Sequence, residues 1–235
     1  MQKILAVATN DATLINGKRT GLWLSELTHF LAEIEDAGLG WDVVSPRGGV
    51  IPLDENSVTR RQLADRANAR FLGRPELRAA LERSRSCAEV DVAEYAGIYL
   101  AGGHGTMFDF RHSEDLKLLI TAFDRREAWL SGVCHGVAGF VDVVDRAGGR
   151  LIADKTVTGF SNLEDLLARS KRWMPFLLED ALRDGGATYR KGLLPFTERV
   201  EVDGRLITGQ NPQSARGVGR ALVSALSASG SALAA

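Results

Sequence analysis

Cysteine and net charge are the two things this sequence has least of. Its 235 residues include only Cys87 and Cys134. That excludes a disulfide framework and points to a reducing, cytoplasmic setting. The 29 Lys and Arg almost balance the 30 Asp and Glu, leaving a formal net charge of −1. No electrostatic footprint for nucleic acid or an anionic membrane results, and neither is expected as a partner. No apolar run reaches the roughly 18 residues that a spanning helix needs. The opening MQKILAVATN turns polar too early for a signal peptide. Repeats and low-complexity linkers are also lacking.

What is there is an ordinary globular composition, 45% apolar and 25% charged, in a chain long enough to bury a substantial core. KILAVAT (3–9) has the look of a buried strand, LWLSELTHFLAEIEDAG (22–38) of an amphipathic helix, and WDVVSP (41–46) of a second strand. Strand, helix, strand is the pattern of a parallel sheet. Residues 47–94 are highly charged and break this rhythm. They are expected to be an inserted helical cap with about two short helices. The alternation then resumes: a strand at 96–103, a helix at 114–128, a strand at 129–134 and a helix at 136–149 stopped by Gly148-Gly149. After these come a strand at 155–160, a helix at 175–187, a hairpin at 197–209 turning on Asp203-Gly204, and a last helix over 212–228. The tail SALSASGSALAA reads as the frayed end of that helix. The expectation is one doubly wound α/β domain over 1–235, its mainly parallel sheet covered on both faces by helices.

The segment SGVCHGVAGF (131–140) carries the chemistry. Gly132 and Gly136 flank Cys134 in a G-x-C-x-G pattern where a strand hands over to a helix-like segment. This is the cysteine version of a nucleophile elbow, which exposes its corner residue at the carboxyl edge of the sheet, where open α/β sheets bind ligands. A helix N-terminus there would favour the thiolate and lower its pKa. A lone intracellular cysteine is otherwise most often a small hydrophobe, and Cys87, without such a context, is read as one.

The loop LAGGHGTMFDF (100–110) also follows a strand and bends on glycines. Gly103 and the amide of His135 can frame an oxyanion hole, and His104 can line a pocket or bond a loop carbonyl. Glu26, at the start of the first helix, can exchange protons with Cys134 or sit on the surface. Glu164 can orient His135, or it can belong to the first turn of a helix capped by Ser161 or Asn162. No histidine follows His135, so the downstream His-x-Glu pair of a class I glutamine amidotransferase is absent. His104, His112 and nearby acids match no known ligand spacing, and no metal is expected.

Taken together, LAGGHGTMFDF, SGVCHGVAGF, TVTGFSNLED and DGRLITGQNPQSARGVG resemble, in this order, the ThiJ/PfpI superfamily. The insertion and the GGHGTM loop resemble its branch of heat-shock-inducible chaperones and glutathione-independent glyoxalases (glyoxalase III). The resemblance covers nearly the whole chain and implies a flavodoxin-like fold and a homodimer. It also implies a reactive Cys134 with His135 beside it, Glu164 completing a triad, Glu26 against the sulfur, and the amides of Gly103 and His135 around an oxyanion. Ala101 and Val137 depart from the residues usual in the family and bear on pocket shape. The activity implied needs no cofactor: a small reactive carbonyl, methylglyoxal, is converted to lactate through a Cys134 hemithioacetal. A stress chaperone and a redox sensor using an oxidisable Cys134 are the alternatives.

Overall fold

Four consecutive apolar residues, Ile4 to Val7, are fully buried, and they fix β1 (Lys3–Val7) near the middle of the sheet. The computed structural model describes residues 2–232. In chain order the further strands are β2 (Gly40–Ser45), β3 (Arg47–Gly49), β4 (Ser84–Ser86), β5 (Tyr95–Leu100), β6 (Trp129–Val133), β7 (Thr156–Val157), β8 (Thr188–Tyr189), β9 (Val200–Asp203) and β10 (Leu206–Gly209). The helices are α1 (Leu24–Asp36), α2 (Arg60–Leu63), α3 (Arg66–Leu72), α4 (Pro75–Glu82), α5 (Thr106–Asp109), α6 (Glu114–Arg125), α7 (Asn162–Leu167), α8 (Leu178–Asp184) and α9 (Ala215–Ala232).

Eight strands form one sheet in the order β3-β4-β2-β1-β5-β6-β10-β9. From β4 to β10 every neighbouring pair is parallel, and only the edge strands β3 and β9 run antiparallel. Helices α1 and α9 pack against each other on one face, while α6 covers β5 and β6 from the other. In α1 the apolar spacing buries Leu24, Leu27, Phe30, Leu31 and Ile34. Phe30 stacks flat on Tyr99 of β5, with ring centroids 3.5 Å apart. The crossovers from β1 and from β5 leave in opposite directions along the sheet. The crevice between their carboxyl ends is therefore a topological switch point, where such sheets receive ligands. Among the described residues no helix is long and apolar enough to cross a membrane.

Several elements differ from the sequence reading. Residues 47–94 carry three short α-helices rather than about two, and they also give β3 and β4 to the sheet edge. Strands of three residues are too short to show a period of two. The expected helix at 136–149 is only a 3₁₀ turn, Cys134–Phe140. Every residue of that turn is buried and two are glycines, so neither an amphipathic stripe nor helix propensity sustains an α-helix. Gly148-Gly149 lies instead in the turn beside a bridge between Val144 and Arg150. The strand expected at 155–160 shrinks to β7, which pairs with β8 outside the main sheet. The hairpin forms, but Asp203 pairs with Leu206, so its turn residues are Gly204 and Arg205. The last helix begins with a 3₁₀ turn at Pro212 and runs on to Ala232. The final residues of the tail, 233–235, lie outside the described residues.

Candidate active site

The cysteine elbow is held in place by backbone packing. Cys134 follows β6 directly and has φ = 55°, a left-handed conformation that costs a non-glycine residue of order 1–3 kcal/mol and persists only where its surroundings impose it. The imposing surface is the end of β5. A Cβ on Gly136 would lie 2.5 Å from the carbonyl oxygen of Leu100. One on Gly102 would lie 2.3 Å from Glu26 Oε2 and 2.7 Å from the carbonyl oxygen of Val133. The two glycine loops thus meet backbone to backbone, and only glycine allows that approach.

Three expected residues come together here. Cys134 Sγ lies 3.6 Å from His135 Nδ1. The other ring nitrogen, Nε2, lies 3.3 Å from Asp165 Oδ1 and 3.4 Å from Oδ2. Ser170 Oγ donates to Asp165 Oδ1 at 2.7 Å. A carboxylate on one side of the ring keeps the proton on Nε2 and leaves the Nδ1 lone pair facing the sulfur. Glu26, in the first turn of α1, is fully buried against Cys134 and the amide of Gly102. Both approaches fall short of full hydrogen-bond geometry, so neither carboxyl oxygen has a satisfied partner.

Glu164 does not face His135; the acid that does is its neighbour Asp165. Ser161 is the N-cap of α7, and Glu164 closes a capping box on it, accepting from Ser161 N at 3.0 Å and Ser161 Oγ at 2.8 Å. Glu164 also accepts from Phe196 N at 2.8 Å, Gln210 Nε2 at 2.9 Å and Asn211 Nδ2 at 2.9 Å. The S-x-x-E spacing from Ser161 is the signal that could have reserved Glu164 for the cap. Asp165, one residue on, points a helical step away and reaches the imidazole.

The electrostatic surroundings work against the expected thiolate. Burial pushes the Cys134 thiol well up, the charge of Glu26 adds to this, and the amide of His135 opposes it. A seven-residue 3₁₀ turn supplies no helix macrodipole to compensate. Burial also raises the Glu26 carboxyl to about 8, outweighing its contacts with Cys134 and Gly102. His135 is held below its ordinary value, chiefly by burial, with Asp165 opposing, so it is neutral at pH 7. For Asp165, burial pushes up but the adjoining His135 and Ser170 outweigh it, and the carboxyl stays low. Burial and Glu26 thus favour a thiol over a preformed thiolate, beside a base held neutral by burial. Cys87 lies elsewhere, buried, with its thiol pushed up to about 12 by burial.

Cys134, His135, Glu26, His104 and Gly103 line a cavity of about 520 Å³. Its apolar walls come from Trp23, Phe160 and Phe196, side chains that the motifs did not single out. His104 turns Nδ1 toward buried Asp54 at 3.9 Å, while its Nε2 is buried without a partner. Its ring centroid is 4.7 Å from that of His135. Ligand atoms of His104, His135 and Asp165 all lie within 4.8 Å of one another, a grouping invisible to sequence spacing because the three residues come from separate segments.

A buried Cys-His-Asp relay at a strand-to-turn elbow, on the carboxyl edge of an open parallel sheet, defines the class of α/β proteins with a nucleophile-elbow cysteine. Two relatives are each 29% identical to the chain. Glyoxalase 3 of Candida albicans matches over 92% of this chain and 94% of its own length, and the glutathione-independent glyoxalase HSP31 of Saccharomyces cerevisiae over 91% and 93%. The crystal structure of the 24 kDa Rapid Encystment Protein of Francisella tularensis superposes with a TM-score of 0.91 at 38% identity, covering 96% of this chain and 99% of that one. A ThiJ/PfpI domain protein of Brachyspira murdochii shares the fold, with a TM-score of 0.63 at 17% identity, over 96% of each chain. No family model matches. The chain is thus similar over nearly its whole length to glutathione-independent glyoxalases, and it shares its fold with ThiJ/PfpI domain proteins.

Proposed function

We propose that the protein is a glutathione-independent glyoxalase that converts methylglyoxal and water to lactate. The observation that carries this reading is the 3.6 Å approach of Cys134 Sγ to the bare nitrogen of an imidazole fixed by Asp165, beside an unpartnered buried Glu26. The names of the full-length relatives support the substrate class.

His135 Nδ1 takes the thiol proton as sulfur adds to the aldehyde carbon, and the alkoxide of the hemithioacetal forms near the backbone amides of Gly103 and His135. That oxygen is then protonated from the imidazolium. Glu26 removes the proton from the former aldehyde carbon, giving an enediol, and returns it to the former ketone carbon, while His135 carries the hemithioacetal hydroxyl proton to the former ketone oxygen. The aldehyde carbon is thereby oxidised to a thioester and the ketone carbon reduced to an alcohol, so no outside redox partner enters. Water activated by His135 hydrolyses the lactoyl thioester, and sulfur leaves with its proton restored. A carboxyl raised to about 8 suits the middle step. It is a stronger base than an ordinary carboxylate, and about one-tenth of it is ionised at pH 7.

A homodimer belongs to this reading on the family resemblance alone, and a reducing compartment suits the two free thiols. Lactate formation by the purified protein tests the activity, and full turnover by Cys134→Ser would refute the mechanism. A chaperone role is a second reading, favoured by the exposed Leu166, Leu167, Leu193 and Leu194. It requires suppression of client aggregation to survive Cys134→Ala.

A further inference from the structure

Two imidazoles and a carboxylate converge where the loop after β5, the elbow after β6 and α7 meet, and nothing in the proposed reaction uses all three as a set. The donors suit zinc and its borderline neighbours. One separation already suits it, and the set spans up to 4.8 Å, so His104 has to swing inward to close on an ion. Two ligands bound at about 2.0–2.1 Å in a tetrahedral site stand about 3.3 Å apart. His135 Nε2 and Asp165 Oδ1 are 3.3 Å apart, long for an N–H···O hydrogen bond.

We propose that His104 Nε2, His135 Nε2 and the Asp165 carboxylate form a reversible inhibitory site for Zn²⁺. The surroundings of the ligands support this. His104 directs its other nitrogen toward a buried carboxylate, Asp54, at 3.9 Å, one short approach away from the outer-shell hydrogen bond of a metal-binding histidine. Asp54 is itself held by Thr20 Oγ1 at 2.8 Å and by the amide of Asn56 at 2.9 Å. Asp165 is steadied by Ser170. His104 Nε2 is the one polar atom of this cluster left buried and unpartnered, and a metal satisfies it. His104 and His135 both line the cavity, which gives the ion an entry and room for water as a fourth ligand.

Inhibition follows from where the proton goes, and this part rests on the glyoxalase reading. A metal on His135 Nε2 displaces the proton held there. The ring can keep it only on Nδ1, the nitrogen facing Cys134 Sγ. His135 then presents an N–H to the sulfur and cannot accept the thiol proton. No bond to sulfur and no redox change is involved.

The test uses the full-length protein after chelation, titrated with Zn²⁺ by calorimetry and with Co²⁺ by visible absorption, alongside lactate assays. One ion binds per chain, and Cys134→Ala binds it as well as the wild type, with no thiolate-to-cobalt band. His104→Ala weakens binding by more than about 100-fold, and Asp54→Asn by about 10–100-fold. Zn²⁺ lowers turnover, and a chelator restores it. The proposal is overturned if the chelated protein binds neither ion. It is equally overturned if binding survives His104→Ala but is lost in Cys134→Ala, since the thiol would then be the ligand. Cobalt binding that depends on His104 in a protein that makes no lactate would sink the glyoxalase reading and leave the metal site standing; lactate without cobalt binding would do the reverse.

Discussion

Glu164 and Asp165 adjoin in sequence, are both fully buried, and should fail in opposite ways when replaced. Asp165→Asn puts an amide where a carboxylate faces His135 Nε2. The amide nitrogen donates to Nε2, the ring proton moves to Nδ1, and the lone pair that should receive the thiol proton is lost. The corresponding change in a Ser-His-Asp triad costs about 10⁴ in kcat. With a nucleophile that is a stronger acid than serine, the loss here should be about 10²–10⁴-fold, roughly 3–5 kcal/mol of barrier, with little change in KM. Glu164→Ala instead strands the donors of Ser161, Phe196, Gln210 and Asn211 in the interior. That should cost about 3–5 kcal/mol of stability and lower Tm by roughly 6–20 °C, while the folded fraction keeps most of its kcat. Thermal melts and lactate assays on both variants, run well below their transitions, separate the two roles. The assignment of Asp165 would be falsified by an Asp165→Asn enzyme within about threefold of wild-type kcat, or by the Glu164 variant losing turnover at unchanged Tm.

The Glu26 carboxyl, raised from 4.5 to about 8, holds its proton more tightly folded than unfolded. Stability should therefore be greatest below pH 4.5 and fall as pH rises toward 8, by on the order of 4–5 kcal/mol across the window. Glu26→Gln removes that titration, so its Tm advantage over wild type should be larger at pH 8 than at pH 5 while lactate formation is lost; parallel Tm profiles would contradict the burial argument. Because the base form of Glu26 is the active one, wild-type kcat should climb from pH 6 through about 8, where it reaches half its limit, and level above about 9, and a fall over that range would assign Glu26 as an acid instead. Gly102→Ala sets a methyl against Glu26 Oε2 and the carbonyl oxygen of Val133; it should cost about 1–3 kcal/mol in denaturant melts and depress turnover further, and wild-type values for both would refute the close packing of the two loops.

The order of elements and the location of the reacting edge were determined by the sequence alone. Alternating strand and helix periods, with glycines where strands end, dictate a parallel sheet with Cys134, Gly103 and Glu26 at its carboxyl edge, because periodicity and turn chemistry are local properties. Tertiary structure decided which acid meets His135, since Asp165 and Glu164 differ only by one residue's rotation of about 100° on α7 and only packing fixes which side faces the imidazole. It also set the electrostatic surroundings of the sulfur. A glycine-flanked cysteine suggests a thiolate, but the pKa depends on how much hydrocarbon and which charges surround the sulfur, and those come from β5, α1 and α7. The edge strands β3 and β4 and the cluster of His104, His135 and Asp165 share that origin: each exists only because distant segments meet, and no spacing along the chain records the meeting.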